Sequence, residues 1–192
     1  MRNIVIINGH PNKESLCTSL AENYYKGALE SQATCSLVHL TDLEFNPILE
    51  FGYQKRTELE PDLLDVWDKI QKADHLVFVY PNWWGTYPAL LKGFFDRLFL
   101  PGFAFAYKEN SIFIDKLLKG KSARVIVTMD SPNFYYRYFL GQAGHRTIKN
   151  SILQFCGINP VKFTNYYMIK TSSDKKRNKW LNSAYKLGLN LN

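Results

Sequence analysis

The stretch NIVIINGHPNKESLCTSL, Asn3 to Leu20, passes from a buried strand through a polar loop into a helix. Its first six residues are a short apolar run of the kind found in strands that are buried on both faces. Apolar residues then recur every four positions from Leu16 to Ala28, and Ser15 stands where a helix N-cap is favoured. A strand, loop and helix in this order are typical of parallel α/β proteins when the unit is repeated.

The unit is repeated along the rest of the chain. Four further apolar runs predict strands, and they are TCSLVHL (Thr34–Leu40), HLVFVY (His75–Tyr80), ARVIVTM (Ala123–Met129) and VKFTNYY (Val161–Tyr167). Helices are predicted from Pro61, from Pro88 to about Leu98, from about Ala143 to Cys156, and from Ser173 to Leu187. This alternation predicts one α/β domain over residues 1–192, a three-layer flavodoxin-like sandwich. Its five-stranded parallel sheet is expected in the order 2-1-3-4-5, with helices on both faces.

The composition is that of a soluble globular protein. Of the 192 residues, 46% are hydrophobic and 21% are charged, and no apolar run reaches the length of a membrane span. The start, MRNIVIINGH, is wrongly flanked for a signal peptide, and three scattered cysteines favour a reducing cytoplasm over a disulfide framework. The net charge of +7 includes KKRNK (Lys175–Lys179), which we interpret as a solvated helix face because no nucleic-acid module accompanies it.

Several kinds of site are excluded by missing residues. LKGKS (Leu118–Ser122) contains the end of a phosphate-binding P-loop, but it lacks the first glycine and leads into a strand. Neither GxGxxG after the first strand nor a GxSxG nucleophile elbow is present. A receiver domain would need acidic residues where this chain has Asn8, Gly9 and Tyr80. The four scattered histidines have no metal-ligand spacing.

Three loops follow the strands whose carboxyl ends flank the switch point of such a sheet: GHPNKES, PNWWGTYP and DSPNFYYR. The first leads into a helix N-terminus, where His10, Ser15 and the backbone of Leu16 and Cys17 could face a phosphate. An ordinary loop with an N-cap serine is the alternative. In the second, Asn82 offers hydrogen bonds and Trp83 and Trp84 offer flat walls, although a core role for both rings is the alternative. A flavin, with a phosphate arm and a flat ring, would suit both loops.

The run VYPNWWGTYPALLKGFFDRLFLPGFAFAY, Val79 to Tyr107, resembles the central signature of NAD(P)H:quinone oxidoreductases of the flavodoxin-like fold. These are enzymes of the DT-diaphorase, modulator of drug activity B and general stress oxidoreductase type. The first loop and ILQFCGI (Ile152–Ile158) resemble the corresponding regions of the same family.

The resemblance implies a set of site residues. The residues implied to hold the flavin are His10, Ser15, Leu16, Cys17, Pro81, Asn82, Trp83, Trp84, Thr128, Met129, Asp130, Ser131 and Pro132. Tyr135 and His145 correspond to the pair that stabilises the reduced flavin, with Tyr136 as the alternative to Tyr135. Trp84, Phe105 and Tyr107 are implied to line the substrate pocket, the last two from across a dimer interface.

The function expected from these residues is that of a flavin-dependent NAD(P)H oxidoreductase. It would pass a hydride from NAD(P)H through flavin N5 to quinones or similar acceptors by a ping-pong mechanism, with FAD as cofactor and FMN as the alternative. One alternative function is a flavodoxin-like regulatory subunit of a potassium-efflux system. A one-electron flavodoxin-type carrier ranks lower, because flavodoxins are usually acidic and this chain carries +7.

A homodimer without membrane insertion is expected. Phe103, Phe105 and Tyr107 would form an apolar patch that a monomer leaves exposed. The patch belongs to one of two stretches, Thr41–Glu60 and Pro101–Lys121, that are too long for plain connections and are therefore predicted to be functional or interfacial.

Overall fold

The computed structural model describes residues 2–109 and 111–191. Met1, Asn110 and Asn192, which the predicted domain 1–192 includes, lie outside the described residues. The strands are β1 (Asn3–Asn8), β2 (Thr34–His39), β3 (His75–Pro81), β4 (Phe105–Tyr107), β5 (Ile114–Lys116), β6 (Ser122–Met129) and β7 (Val161–Tyr167). The α-helices are α1 (Leu16–Glu30), α2 (Pro61–Lys72), α3 (Ala89–Leu98), α4 (Ala143–Arg146) and α5 (Asp174–Leu189). In this part of the chain no helix has the length and apolar character needed to cross a membrane.

The central sheet has the order β2-β1-β3-β6-β7, and all of its strand pairs are parallel. The predicted order 2-1-3-4-5 is therefore confirmed, since β6 and β7 are the fourth and fifth strands of this sheet. The chain turns outward from β1 to β2 and then returns past β1 to β3, so the connections diverge between β1 and β3. Loops at the carboxyl ends of these strands enclose a crevice, which is where open α/β sheets bind ligands.

Each face of the sheet carries its own hydrophobic core. On one face α1 and α5 cover alternate residues of the strands, including Ile6, Val77 and Ile126. On the other face α2, α3 and the segment after α4 cover Ile7, Phe78 and their neighbours. These central strands are buried almost throughout, as expected for a parallel sheet with helices on both faces.

Two segments differ from the predicted regular structure. Tyr135–Phe139 and Thr147–Leu153 are π-helical, and the second continues directly from α4. The fourth helix predicted from about Ala143 to Cys156 is therefore present as far as Leu153, but only its first four residues are α-helical. The wider π turn allows Ile148 and Leu153, five positions apart, to be fully buried on the same side.

The stretch Thr41–Glu60 is fixed to the domain by Arg97 of α3. The guanidinium is 1% exposed and donates to the backbone carbonyls of Asn46 and Glu58 and to both carboxylate oxygens of Glu60. The second irregular stretch contains the antiparallel pair β4–β5, which the sequence did not predict. The first stretch is therefore attached to the domain, and the described residues of the second include a short hairpin.

Candidate active site

A pocket of about 200 Å³ opens at the carboxyl ends of β1, β3 and β6. Its lining consists of His10, Leu16, Cys17, Pro81, Asn82, Trp83, Thr128, Met129, Asp130 and Ile169. All but Ile169 are among the residues predicted to hold the cofactor. Ser15, Trp84, Ser131 and Pro132 were predicted as well but do not line it. Three loops that are distant in sequence thus converge on one pocket.

Asn8, the last residue of β1, organises the first loop. Its buried side chain donates to Thr18 Oγ1 at 3.0 Å and accepts from the backbone N–H of His10 at 3.2 Å. Ser15 caps α1 by accepting from the Thr18 N–H. In an α-helix the first amides have no intrahelical acceptor, so those of Leu16 and Cys17 remain available to a ligand. The helix dipole makes this position favourable for an anion.

His10 lies against the edge of Trp83, with ring centroids 5.5 Å apart. Burial lowers the pKa of His10, so the ring is neutral at neutral pH. Its Nδ1 accepts from the backbone N–H of Asn12 at 2.9 Å, which leaves the proton on Nε2. His10 therefore lines the pocket as an uncharged hydrogen-bond donor.

Cys17 joins the first loop to β6. Its Sγ lies 3.2 Å from Thr128 Oγ1, and burial raises the pKa of the thiol to about 12. A thiol at such a pKa stays protonated and is neither a nucleophile nor a metal ligand. Within residues 2–109 and 111–191, no three His, Cys, Asp or Glu side chains are placed to hold a metal ion.

The two adjacent tryptophans are separated by a tight turn. The backbone N–H and C=O of Trp83 exchange hydrogen bonds with those of Thr86, at 2.8 and 3.0 Å. Trp84 and Gly85 between them both have positive φ, 52° and 81°, as in a type I′ turn. Glycine adopts such angles freely, whereas a bulky residue such as Trp84 does so under strain. As a result Trp83 lines the pocket, and Trp84 is fully exposed at the tip of the turn.

The loop after β6 forms the opposite side of the pocket. The carbonyl of Thr128 accepts from the Asn82 N–H at 2.7 Å, which fixes the distance between this loop and the tryptophan turn. Asp130 Oδ1 accepts from the backbone N–H of Lys170 at 2.8 Å, and the Lys170 Nζ lies 3.9 Å from Oδ2. The Asp130 carboxylate is therefore compensated by the β7–α5 connection.

Tyr135 and His145 do not meet. Tyr135 is 43% exposed and stacks on Phe139, whereas His145 is buried and pairs with Tyr136 at 2.7 Å from Nδ1 to the phenol oxygen. On the other side of the ring, Nε2 lies 2.7 Å from Asn165 Oδ1. The structure thus selects Tyr136, the alternative, as the partner of His145. Neither Tyr135 nor His145 lines the pocket, so their contact with a cofactor stays a prediction.

Phe105 and Tyr107 lie on the hairpin β4–β5 and line a different pocket of about 390 Å³. Phe105 is 6% exposed because it packs against Phe155, with centroids 5.0 Å apart. The expectation that Phe105 is exposed in a monomer is therefore wrong. Tyr107 is 71% exposed, and in one copy of the chain it is not brought to the pocket beside Trp83.

Comparison with known proteins agrees with this arrangement. A family model described as a flavodoxin-like fold matches residues 2–186. The chain belongs to the flavodoxin-like family. An uncharacterized NAD(P)H oxidoreductase of Haemophilus influenzae is 31% identical over 180 residues, covering 91% of this flavodoxin-like chain and 88% of that protein.

Solved structures of similar proteins cover nearly the whole flavodoxin-like chain. Smu.1420 from Streptococcus mutans is 34% identical, with a TM-score of 0.85, over 99% of this chain and 100% of that one. An NAD(P)H:quinone oxidoreductase from Methanothermobacter marburgensis is 25% identical, with a TM-score of 0.80, over 98% of both chains. The Haemophilus influenzae protein is named as an NAD(P)H oxidoreductase, and the Methanothermobacter marburgensis protein as an NAD(P)H:quinone oxidoreductase.

Sequence reasoning missed three residues of this flavodoxin-like site. Asn8 was noted only because it excludes a receiver domain, although an amide at the end of the first strand can organise the following loop. Ile169 follows β7, and its place beside the pocket could have been inferred because the fifth strand ends at the same edge of the sheet. Asn165 gave no signal, because its role depends on a side chain 20 positions away.

Proposed function

We propose that the chain is a flavin-dependent NAD(P)H oxidoreductase that transfers a hydride to quinones or similar acceptors. The proposal is carried by the convergence of His10, Cys17, Trp83 and Asp130, from three separate loops, on one pocket at the switch point of the sheet. The names of the relatives from Haemophilus influenzae and Methanothermobacter marburgensis support the same reaction class.

The residues around the pocket fit a flavin. The open amides of Leu16 and Cys17 at the start of α1 suit a phosphate, and Trp83 presents a flat surface beside the neutral donor His10. Asp130, the acidic residue in the lining, is compensated by Lys170. The lining is otherwise uncharged and suits a flat, hydrogen-bonding ring.

The chemistry that a bound flavin would supply is acceptance of a hydride at N5 from NAD(P)H and its later delivery to the acceptor. The residues of the chain bind and orient the reactants. The pocket is open to solvent, and we propose that NAD(P)H and acceptor occupy its open part in turn, which gives ping-pong kinetics.

FAD is the proposed cofactor, with FMN as the alternative. Beyond Leu16 the surface continues into an open groove between the N-termini of α1 and α5, lined by Ser15, Ser19, Arg177 and Asn178 among others. Arg177 is held in place by Ser172 Oγ at 2.9 Å and by the carbonyl of Ile169. The groove also contains Glu14 and Asp174, and Arg177 is its basic residue. We propose that Arg177 and the polar side chains beside the phosphate position hold the adenosine diphosphate part of FAD, which FMN lacks.

A homodimer is part of the proposal. The hairpin β4–β5 exposes Tyr107, Ile112 and Phe113 at 71%, 94% and 72%, an apolar surface that a second copy would cover. Light scattering is expected to give twice the mass of the chain. Tyr107→Ser together with Phe113→Ser should shift the equilibrium toward monomer, and an unchanged mass would contradict this role.

The reaction is tested with purified protein supplied with FAD or FMN. We expect one flavin per chain, identified by the mass of the released cofactor, and oxidation of NADPH or NADH in the presence of menadione. Double-reciprocal plots of initial rate against NAD(P)H concentration, at several fixed menadione concentrations, should give the parallel lines of a ping-pong mechanism. A protein that retained neither flavin and oxidised neither nicotinamide would exclude the proposed function.

A further inference from the structure

Tyr136, His145 and Asn165 form a buried hydrogen-bonded row beneath the tryptophan turn. The Asn165 carbonyl oxygen can only accept, so the proton of the His145 ring stands on Nε2. His145 Nδ1 must then accept, and the Tyr136 hydroxyl donates to it at 2.7 Å. Each donor faces an acceptor along the whole row, and its direction is set at the Asn165 end.

The amide of Asn165 is itself held in one orientation. A hydrogen bond from Asn165 lowers the pKa of the Tyr167 phenol against the larger, opposite effect of burial. The Asn165 carbonyl oxygen lies 2.7 Å from His145 Nε2, so the NH₂ group of the same amide faces away from the imidazole. Phe163 fixes the plane of the imidazole by stacking on it, with centroids 4.3 Å apart.

The row carries no charge at neutral pH. Burial lowers the pKa of His145, against a smaller raising effect of its bond to Asn165, and burial raises the pKa of Tyr136 to about 12. Both groups are therefore neutral, and the row has one proton arrangement over the physiological range.

Gly144 connects this row to the turn that carries Trp84. Its N–H donates to the carbonyl of Gly85 at 2.9 Å. A Cβ at Gly144 would lie 2.6 Å from that carbonyl oxygen and 3.3 Å from the Tyr136 hydroxyl, so the backbone is in contact with both. The turn adopts positive φ at Trp84, a conformation that persists only where surrounding contacts impose it.

We propose that Asn165 is a positioning residue. It fixes the tautomer of His145 and thereby the hydrogen bond between Tyr136 and His145. That pair holds Gly144 against Gly85, which keeps the Trp84 turn in the shape that the acceptor pocket requires. In this arrangement both ring nitrogens of His145 are used inside the protein. In this proposal His145 acts on the site through the turn, which replaces the predicted contact with the cofactor. The effect on acceptors rests on the proposed function, whereas the effect on the turn does not.

The structural part is tested on the protein without cofactor. In wild type, ¹⁵N NMR of the histidine rings should show His145 as the Nε2–H tautomer. Asn165→Leu should remove that preference and speed hydrogen exchange of the Gly144 and Thr86 amides by about tenfold. The matched control is Thr147→Val, which removes a hydrogen bond to Ala143 O from the same segment but does not touch the row. It should leave both exchange rates unchanged.

Two outcomes would overturn the proposal: an Nδ1–H tautomer in wild type, or Gly144 and Thr86 exchange rates in Asn165→Leu that match those of Thr147→Val. If Asn165→Leu does not fold, the nearly isosteric Asn165→Asp replaces it. A carboxylate there should protonate both nitrogens of His145, remove the acceptor that Tyr136 needs, and again speed exchange at Gly144. Unchanged exchange in a doubly protonated Asn165→Asp would also contradict the proposal.

The catalytic part uses the flavin-loaded protein. Under the proposed function the tip of the turn would border the acceptor and Trp83 the cofactor. Asn165→Leu should then raise the KM for menadione by about tenfold while the flavin Kd changes less than about twofold. If wild type has no oxidoreductase activity, the proposed function fails while the exchange result still stands. If wild type is active and the variant has an unchanged KM, the link from the row to the acceptor pocket is refuted.

Discussion

Trp83 and Trp84 show how one backbone torsion divides the work of two identical side chains. The positive φ of Trp84 turns the chain so that one indole faces the pocket and the next faces solvent. Neither ring is therefore buried in the core. The strain at Trp84 costs about 1 kcal/mol or more and is offset by the hydrogen bonds of Thr86 and Gly85 that close and anchor the turn.

This division predicts opposite kinetic effects for two alanine variants. Trp83→Ala should raise the flavin Kd by about tenfold, because it removes the aromatic surface beside His10. Trp84→Ala should leave that Kd within about twofold and lower kcat/KM for the acceptor by about tenfold. Flavin fluorescence titration and menadione kinetics measure the two quantities. The reverse pattern would mean that Trp84 binds the cofactor.

The residues that line the pocket at the strand ends could be predicted from the sequence, whereas hydrogen bonds between distant side chains could not. His10, Cys17, Asn82 and Trp83 could be assigned because loops after parallel strands must meet at one edge. Whether Tyr135 or Tyr136 faces His145 depends on the π-helical turn, which changes the direction of every following side chain. A single sequence does not encode that turn in a pattern that periodicity can detect.

Among the helices, α1 and α5 cross at a point where two glycines bring the backbones together. A Cβ at Gly27 would lie 2.0 Å from the carbonyl oxygen of Tyr185, and one at Gly188 would lie 2.0 Å from that of Tyr24. Both helices pack on the same face of the sheet at this crossing, and the N-terminus of α5 lies beside the groove proposed for FAD.

Gly27→Ala is expected to destabilise the protein by about 2–3 kcal/mol. In an exposed helix the same change stabilises by about 1 kcal/mol, so the sign of the effect distinguishes close helix contact from helix propensity. Urea unfolding provides the measurement, with Glu22→Ala on the exposed side of α1 as the control. A more stable Gly27→Ala protein would show that the two helices do not touch at this point.

Arg97 provides a second test at the level of elements. Arg97→Ala removes the ion-pair partner of the Glu60 carboxylate and leaves two backbone carbonyls without this donor, so we expect a loss of about 3–5 kcal/mol and faster proteolysis within Thr41–Glu60. Lys92→Ala, which breaks the exposed ion pair with Asp96, should cost less than about 0.5 kcal/mol. Equal stability of the two variants would contradict the anchoring role.

The central strands β1, β3 and β6 were predictable because each is a nearly unbroken apolar run, and β2 and β7 because they follow helices in the same alternation. The hairpin β4–β5 was not predictable, because its strands have only three residues each and the sequence around Phe105 does not indicate whether this side chain is exposed or buried. Its burial depends on Phe155, which lies 50 positions later in the chain. Contacts between residues so far apart in sequence determine the structure of the hairpin, and a single sequence does not show them.

At the scale of the whole molecule, ligand binding is proposed at the carboxyl edge of the sheet, while the opposite edge gathers positive charge. His75 lies buried there and hydrogen-bonds Ser122 Oγ at 2.8 Å. Burial, and to a lesser degree the charges of Arg2, Arg124 and Lys162, lower the pKa of His75 to about 3. The folded protein therefore keeps this ring neutral well below its ordinary pKa.

This low pKa predicts how stability depends on pH. Below about pH 6.5 the unfolded chain takes up a proton at His75 and the folded chain does not, so stability falls as the pH decreases toward 3. Between about pH 7.5 and 5.5 the unfolding free energy of wild type should fall by about 1 kcal/mol more than that of His75→Gln. Urea unfolding at both pH values tests this, and parallel losses in the two proteins would refute it.

The way in which Arg97 holds Thr41–Glu60 has a consequence for how such a protein can diversify. The guanidinium recognises two main-chain carbonyls and a single carboxylate, and the apolar side chains that pack on the core lie near the ends of the segment, at Leu43, Phe45 and Leu59. Related proteins can therefore differ at most positions between residues 48 and 57 without losing this attachment. The surface of this segment can therefore change during evolution while the sheet and the crevice at its carboxyl edge stay the same.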